Sequence, residues 1–295
     1  MKTRLITAIC TPLHEDHSLF VESLESHIED QWHHGISGLL VGGTMGLMQL
    51  QTDNVLSDLV KLSVLFSRNR GEILVGVGDT CFARTLERIR IAEQFAIDGV
   101  VVLSPYLLKY SQTELIDYFR SLADVSSKPL YLYDLPAFTG TTLELSTVKT
   151  LAAHRNICGI KCSGAWEDTR QLIDSVGDQL RVIPAQAHLI DQLVRVGVPD
   201  NLDGIFGIFP HLPTAIVQAA ESDDWMNASK LQQKLSQLLQ LVLKKYATAY
   251  GCCEAILNAR GIPGQITVAP MRRLSGSKRE ELLSEPLIQE LIRNH

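Results

Sequence analysis

The chain lacks a hydrophobic run of membrane-spanning length, since no apolar stretch approaches the roughly 18 residues that a helical span requires. It also lacks a basic amino-terminal segment followed by a long apolar stretch, which is the pattern of a secretory signal. Lys and Arg are scattered among carboxylates, and the formal net charge is only -6, so neither nucleic acid nor a membrane is expected as a partner. The sequence predicts a cytoplasmic protein that acts on a small molecule.

The patterns of metal, nucleotide and hydrolase sites are missing as well. The cysteines form no C-x-x-C pair and two of them are adjacent, so we expect six reduced, structural thiols and neither a zinc site nor a disulfide framework. The glycine-rich segment 42–46 lacks the Gly-Lys-Ser/Thr ending of a P-loop, and there is no G-x-S-x-G elbow. The sequence therefore predicts neither a metal nor a cofactor. The cysteines are Cys10, Cys81, Cys158, Cys162, Cys252 and Cys253.

Eight short apolar runs alternate with longer segments of helical period. Runs that are apolar throughout indicate strands covered on both faces, and helices between them indicate parallel crossovers. The 295 residues, 45% of them hydrophobic, suffice for one barrel of about 250 residues plus an appendage. We therefore predict an α/β fold, a (β/α)8 TIM barrel with a C-terminal helical extension. The predicted strands are 5–12, 38–43, 72–78, 99–105, 129–136, 157–164, 180–186 and 203–210.

The segments between the runs place apolar residues at helical spacing, which predicts helices at 21–32, 55–66, 83–95 and 115–123. After the eighth run the pattern changes, and 213–260 is typical of helix alone. No stretch rich in Pro, Gly and Ser marks a linker between the two parts. We predict a barrel over residues 1–212 and a helical extension, packed on the barrel, over residues 213–295.

In such a barrel the reactive side chains stand at the carboxyl ends of the strands. Lys161 lies within an apolar run; if it faces inward, burial disfavours the ammonium and leaves an amine able to attack a carbonyl. A lone lysine is more often a surface charge.

Tyr133 ends the preceding strand, where its phenol is either a proton carrier above Lys161 or a plain aromatic at the rim. The loop 42–46 brings backbone N–H groups towards an anion, or is simply a glycine-rich turn.

Three motifs, in order and after the right strands, together resemble the N-acetylneuraminate lyase / dihydrodipicolinate synthase superfamily of pyruvate-dependent class I aldolases. They are Gly43-Thr-Met-Gly46 after strand two, Tyr133-Asp-Leu-Pro-Ala-Phe-Thr-Gly140 after strand five and Gly159-Ile-Lys161 on strand six. The match spans nearly the whole barrel. Each motif is weak alone, but their joint occurrence at this spacing is a specific signal.

The resemblance implies a role for each matching residue. Lys161 is expected to form an imine with the ketone of pyruvate, and Tyr133 is expected to relay protons. Thr44 is expected to hydrogen-bond Tyr133, while the backbone of Thr44 and Met45 binds the pyruvate carboxylate. A homotetramer built as a dimer of dimers is implied, without a cofactor. The expected substrate-binding residues are Gly43, Met45, Tyr106, Ser163 and Phe206.

Departures from the family pattern bear on the substrate. Phe138 stands where the synthases carry an Arg that binds the carboxylate of aspartate semialdehyde, so dihydrodipicolinate synthase activity is not expected. Leu107 replaces the second of two adjacent tyrosines. Leu47, in place of a common Glu, and Ser163 favour a sugar-acid aldolase, whereas Met45 removes a hydroxyl that most members have.

We therefore expect a pyruvate-dependent aldolase or lyase that cleaves or forms a 2-keto-3-deoxy sugar acid or a related 2-keto acid. One alternative keeps the imine but ends in condensation or dehydration, as in the synthases. The other is a catalytically weakened barrel that only binds a keto acid. Retention of both Tyr133 and Lys161 argues against a purely binding role.

Overall fold

Eight parallel strands form a ring at the centre of the computed structural model, which describes residues 2–246 and 248–294. Around the ring each strand lies beside its neighbour in sequence, and β8 lies beside β1. The predicted (β/α)8 TIM barrel is confirmed. The strands are β1 (Arg4–Ala8), β2 (Gly38–Val41), β3 (Glu72–Gly76), β4 (Gly99–Leu103), β5 (Leu130–Asp134), β6 (Ile157–Cys162), β7 (Arg181–Pro184) and β8 (Asp200–Asp203).

The predicted position of the eighth strand, 203–210, is wrong. The strand lies earlier, at 200–203, and Ile205–Gly207 form a 3-10 turn. β8 is polar because its Asp200 accepts hydrogen bonds from Arg4 and Arg181 at the amino-terminal end of the barrel. The apolar run that suggested a strand is instead a buried turn leading into the next helix.

Side chains join β7 to β8, where the described residues form no backbone ladder. The amide N–H of Gln186 donates to Asn201 Oδ1 over 3.3 Å, and Asn201 Nδ2 donates to the carbonyl of Gln186 over 3.2 Å. At the opposite end of the strands, Arg181 Nη2 donates to Asp200 Oδ1 over 2.7 Å. The polar residues of β8 therefore close the ring.

Helices cover the outside of the ring, and the four helices predicted from periodicity are present to within three residues at each end. Within the described ranges no helix is long and apolar enough to cross a membrane. The helices that precede β8 are α1 (Val21–His33), α2 (Asp53–Ser67), α3 (Phe82–Ala92), α4 (Gln112–Val125), α5 (Pro136–Thr139), α6 (Leu145–Ala152), α7 (Trp166–Val176) and α8 (Ile190–Arg195).

The chain after β8 is helical, as expected, and packs against the barrel. The predicted boundary at 212/213 falls inside α9, so the division of the chain into two units stays a prediction. The helices are α9 (His211–Glu221), α10 (Trp225–Leu239), which runs on as a π-helix (Gln240–Lys245), α11 (Ala249–Ala259), α12 (Gly276–Ser284) and α13 (Pro286–Arg293).

The core has two layers because alternate residues of a strand face opposite sides. Leu5 of β1 and Ile9 just after the strand belong to the outer layer between strands and helices, whereas Ile6 and Ala8 of β1 belong to the barrel interior. The interior layer also contains Tyr131 and other residues of the remaining strands. Side chains that continue this inner layer at the carboxyl ends of the strands form the candidate site.

Candidate active site

Lys161 and Tyr133 are direct neighbours on β6 and β5, where their Cα atoms are paired in register. The residues flanking the lysine, Ile160 and Cys162, pack in the outer layer, so Lys161 faces the barrel interior. Its Nζ lies 3.9 Å from the centre of the Tyr133 ring and donates to Ser163 Oγ over 2.8 Å. Lys161 and Tyr133 are each only 4% exposed. The orientation of the lysine, which the sequence left open, is therefore inward.

The ring of Tyr131 fills the barrel below the lysine. A Cβ atom at Gly159 would lie 2.6 Å from Tyr131 Cδ1, and one at Gly99 would lie 2.8 Å from Tyr131 Cε2. Glycine on each neighbouring strand therefore makes room for this ring. Packing therefore explains the glycine of the Gly-Ile-Lys motif, since a larger side chain at position 159 would collide with the ring of Tyr131.

The hydroxyl of Thr44 forms a hydrogen bond with the phenol of Tyr133, with 3.2 Å between Thr44 Oγ1 and Tyr133 Oη. Thr44 lies in the loop after β2, which is held from two sides. The carbonyl of Thr44 accepts from the Tyr250 phenol of α11 over 2.8 Å and from the amide of Leu47 over 3.1 Å. The predicted pairing of Thr44 with Tyr133 is therefore present.

The amide N–H groups of Thr44 and Met45 have no hydrogen-bond partner among the described residues. The carbonyl of Gly43, by contrast, accepts from the Met48 amide over 3.1 Å. Two adjacent unpaired amides suit an anionic group, because each supplies a donor at no cost in reorganisation. The loop has the donors that a pyruvate carboxylate needs.

No carboxylate in the described part of the chain lies within ion-pair distance of Lys161. Tyr106 is half-buried and packs against the interior layer. Burial, together with the negative charge of Asp79, raises the pKa of the Tyr106 phenol to about 12. The Tyr106 phenol is therefore neutral at ordinary pH, and no described carboxylate competes with an anionic ligand for the space beside Lys161.

Two other predicted substrate-binding residues have different outcomes. Met45 is half-buried and packs over β8, because a Cβ at Gly204 would lie 2.1 Å from its Cγ. Phe206 is fully buried in the outer layer and not in the barrel interior, so the structure does not bring it to Lys161 and Tyr133. Phe138, on α5 after β5, is 65% exposed.

Asp134 follows Tyr133 but faces the outer side of the barrel. It is 6% exposed, its Oδ1 accepts from the Leu143 amide over 3.0 Å, and it lines a cavity of about 250 Å³ between β5, β6 and α7. Burial, opposed by that hydrogen bond and assisted by the charge of Asp168, raises the pKa of the Asp134 carboxyl to about 6. Its carbonyl accepts from the Ser163 amide over 2.9 Å, which ties the ends of β5 and β6 together.

The sequence did not indicate Tyr250 and Arg88 as residues near the site, because both lie on helices and not at the ends of strands. Tyr250 belongs to the extension, and Arg88 lies on the face of α3 that packs on the barrel. A charged residue at a buried position of an amphipathic helix was the available signal for Arg88. Tyr250 offered none, since its distance from Thr44 along the chain hides the contact.

Among the described residues no cluster of three or more His, Cys, Asp and Glu side chains could hold a metal ion. The six cysteines are unpaired. Four of them are buried, whereas Cys158 is half-buried and Cys81 is exposed. Cys81 is exposed because it lies at the start of α3, on the rim after β3.

The chain shares its sequence pattern with one family over nearly its full length. The model of the dihydrodipicolinate synthetase family matches residues 1–288. A 4-hydroxy-tetrahydrodipicolinate synthase of Exiguobacterium sp. is 28% identical over 285 residues, which cover 96% of this chain and 97% of the relative.

Solved structures agree with this assignment. A prophage protein of the dihydrodipicolinic acid synthase family from E. coli K12, in complex with pyruvate, is 25% identical, with a TM-score of 0.87 and 98% coverage of both chains. The 2-keto-3-deoxygluconate aldolase of Sulfolobus is 22% identical, with a TM-score of 0.88. The match covers 99% of this chain and 96% of the aldolase, which therefore shares the fold. Because the family model matches nearly the whole chain, the chain belongs to the dihydrodipicolinate synthetase family, whose members are enzymes of the class I aldolase or lyase type.

Proposed function

We propose that this protein is a pyruvate-dependent aldolase or lyase in which Lys161 forms the imine. The observation that carries the proposal is the grouping of three elements around one point inside the barrel. The amine of Lys161 lies over the ring of Tyr133, whose phenol bonds Thr44, and the loop of Thr44 offers two unpaired amides. Together these provide a nucleophile, a proton carrier and a carboxylate site.

The chemistry in the cleavage direction follows from that arrangement. The amine of Lys161 attacks the C2 carbonyl of the substrate, water leaves, and the resulting imine draws electrons from the bond between C3 and C4. Tyr133 gives its own proton to the hydroxyl that leaves C2 as water, and its phenolate then takes the proton of the C4 hydroxyl as the bond between C3 and C4 breaks, which releases an aldehyde and restores the phenol. The enamine left on Lys161 is protonated at C3, and water then hydrolyses the imine to give pyruvate and the free amine.

The substrate we propose is a 2-keto-3-deoxy sugar acid or a related 2-keto acid. Ser163 supports a hydroxylated substrate, because its Oγ lies beside the lysine and can accept or donate. Phe138 at the rim supplies no positive charge for a second carboxylate. A condensing or dehydrating enzyme with the same imine is the second candidate, since the curated relative from Exiguobacterium is a synthase.

We also propose a homotetramer. Leu107 is 84% exposed with a φ of 87°, and its neighbour Leu108 is 64% exposed. An exposed apolar side chain at the rim is unfavourable in water, and the left-handed backbone conformation of this leucine adds strain. Contact with a second copy of the chain would remove it from water, and light scattering gives the number of subunits.

A panel of 2-keto acids tests the substrate. Purified protein is incubated with 2-keto-3-deoxy sugar acids, with short unbranched 4-hydroxy-2-keto acids, and with pyruvate plus aspartate semialdehyde. Released pyruvate is followed with lactate dehydrogenase and NADH. We expect pyruvate from the hydroxylated 2-keto acids and no condensation with aspartate semialdehyde. Rapid condensation with that aldehyde, without cleavage of the others, would transfer the assignment to the second candidate.

A further inference from the structure

We infer that Arg88 is a positioning residue that holds the loop after β2 in the shape that brings Thr44 to Tyr133 and its amides to the substrate. This inference rests on the proposed function. Arg88 does not touch the reacting atoms. It acts through the backbone of the loop that does.

Arg88 is 2% exposed, and two of its three side-chain nitrogens donate hydrogen bonds to that loop. Its Nη1 donates to the carbonyl of Met48 over 2.5 Å, and its Nη2 donates to the carbonyl of Gln51 over 3.2 Å. Its Nε lies 3.0 Å from Asp79 Oδ2, and Asp79 is also 2% exposed. A rigid guanidinium fork can serve two carbonyls and one carboxylate at once, which a single ammonium cannot do with the same geometry.

The charge of Arg88 is matched inside the protein. Burial alone would raise the pKa of the Asp79 carboxyl, but hydrogen bonds from Arg84 and the Thr80 amide, and the charge of Arg88, hold it below its ordinary value. The carboxylate is therefore charged at neutral pH. It fixes Arg88 from the side of β3 while the two other nitrogens face the loop.

The loop requires such support because its backbone is strained. Leu47 has a φ of 66°, a left-handed conformation that is unfavourable for a leucine, and it is 1% exposed. The turn that begins there, Met48–Leu50, is the segment whose carbonyl Arg88 binds. Strain of this kind persists only where the surroundings over-determine the shape.

The strained turn is linked directly to the reactive side of the loop. The amide of Met48 donates to Gly43, and the amide of Leu47 donates to Thr44. Gln51, whose carbonyl Arg88 binds, donates through its side chain to Gly46. A shift of the turn therefore moves Thr44 and the two unpaired amides with it.

The chain contains a matched control. Arg260 has a buried side chain, pairs with Asp30 over 2.8 Å and also donates to a backbone carbonyl, that of Ile208. It differs from Arg88 in what it holds, since Ile208 lies after β8 and not in the loop that carries Thr44. Conversion of either arginine to lysine removes a buried guanidinium fork and keeps the charge.

The experiment compares Arg88→Lys and Arg88→Met with Arg260→Lys and the wild type. Steady-state kinetics use the best substrate of the panel, and hydrogen exchange is followed by mass spectrometry over peptides that contain residues 43–51. We expect Arg88→Lys to lower kcat about tenfold and to raise KM, because a displacement of the order of 1 Å can cost about a hundredfold in rate. Arg88→Met should lose more. Exchange over 43–51 should accelerate in both, and Arg260→Lys should change thermal stability alone.

The readouts separate the two claims. Borohydride reduction of the wild type with pyruvate shows whether Lys161 forms the imine; its failure would remove the proposed function, while the exchange of 43–51 still decides the role of Arg88. If the Arg88 variants and Arg260→Lys lose stability alike but keep wild-type exchange over 43–51, kcat and KM, Arg88 is merely structural and the inference is overturned.

Discussion

Lys161 faces the barrel interior because the apolar residues on either side of it in β6 turn to the helices. The apolar run alone left both faces of the strand open to the lysine, and the family resemblance favoured the inner one. Its contact with Ser163, and the distance of 3.9 Å to the Tyr133 ring, could not be predicted, because they depend on the register between β5 and β6.

Tyr133→Phe tests the proton carrier. The variant keeps the ring beneath Lys161 but loses the hydroxyl that bonds Thr44. We expect the imine with pyruvate to form still, whereas the rate of carbon–carbon cleavage falls about 10²- to 10⁴-fold, the range typical of general acid–base catalysis. Tyr131→Phe is the control, because it removes a phenol from the same strand whose partner is Arg181 and not Thr44. Equal cleavage rates in Tyr133→Phe and the wild type would remove the proposed role.

Asp134 makes stability depend on pH in a direction that can be worked out. Its pKa in the fold is about 6, above the value of about 3.9 in an unfolded chain. Between those values the unfolded state holds fewer protons, so the free energy of unfolding falls as the pH rises and the loss is complete above pH 6 or so. The full effect is on the order of 3 kcal/mol.

Asp134→Asn removes that dependence while keeping an oxygen for the Leu143 amide. We expect the variant to be more stable than the wild type at pH 8 by about 1–3 kcal/mol, and no more stable at pH 4. Denaturant unfolding at both pH values and one protein concentration measures this. A difference that is the same at pH 4 and pH 8 would show that the charge is not its cause.

Among the elements, β8 shows where sequence patterns fail. Three of its four residues are polar, and two of them, Asp200 and Asn201, close the ring with ion pairs and side-chain hydrogen bonds, so the continuous apolar pattern that marks a buried strand is absent. The neighbouring run 203–210 is more apolar than the strand itself because it forms a buried turn, and it therefore imitates the pattern of a strand. The seven other strands follow the pattern, since helices cover their outer faces and the interior layer their inner faces.

The contact between β2 and β3 gives a test at this scale. A Cβ at Gly76 would lie 2.4 Å from the carbonyl oxygen of Gly42, which begins the loop that carries Thr44. Gly76→Ala must therefore displace backbone. We expect a loss of about 2 kcal/mol in the free energy of unfolding, within the usual range for core strain, and a lower kcat.

Gly276→Ala is the control for that variant, because a Cβ there meets no atom within 4 Å. Its free energy of unfolding should change by no more than about 0.5 kcal/mol. Urea unfolding and the pyruvate-release assay measure both variants. If Gly76→Ala behaves like Gly276→Ala, the close approach of β3 to the loop does not constrain it.

In the whole molecule, the extension completes the site. Tyr250 of α11 reaches back to the carbonyl of Thr44, and Arg88 holds the same loop from α3. The sequence predicts the barrel, the extension and the three site motifs, because each is a local pattern or a family motif. It does not predict these two contacts, which join residues 206 and 40 positions apart through the packing of helices on the ring.

The measurement that tests the account most directly is reduction with borohydride in the presence of pyruvate, followed by mass spectrometry of the intact protein and its peptides. We predict one reduced pyruvyl group per chain, located on Lys161. Lys161→Arg should give no adduct, whereas Lys128→Arg, which replaces an ammonium bound to the carbonyl of Ile97, should react like the wild type. Absence of an adduct from the wild type, or an adduct on a different lysine, would contradict the account.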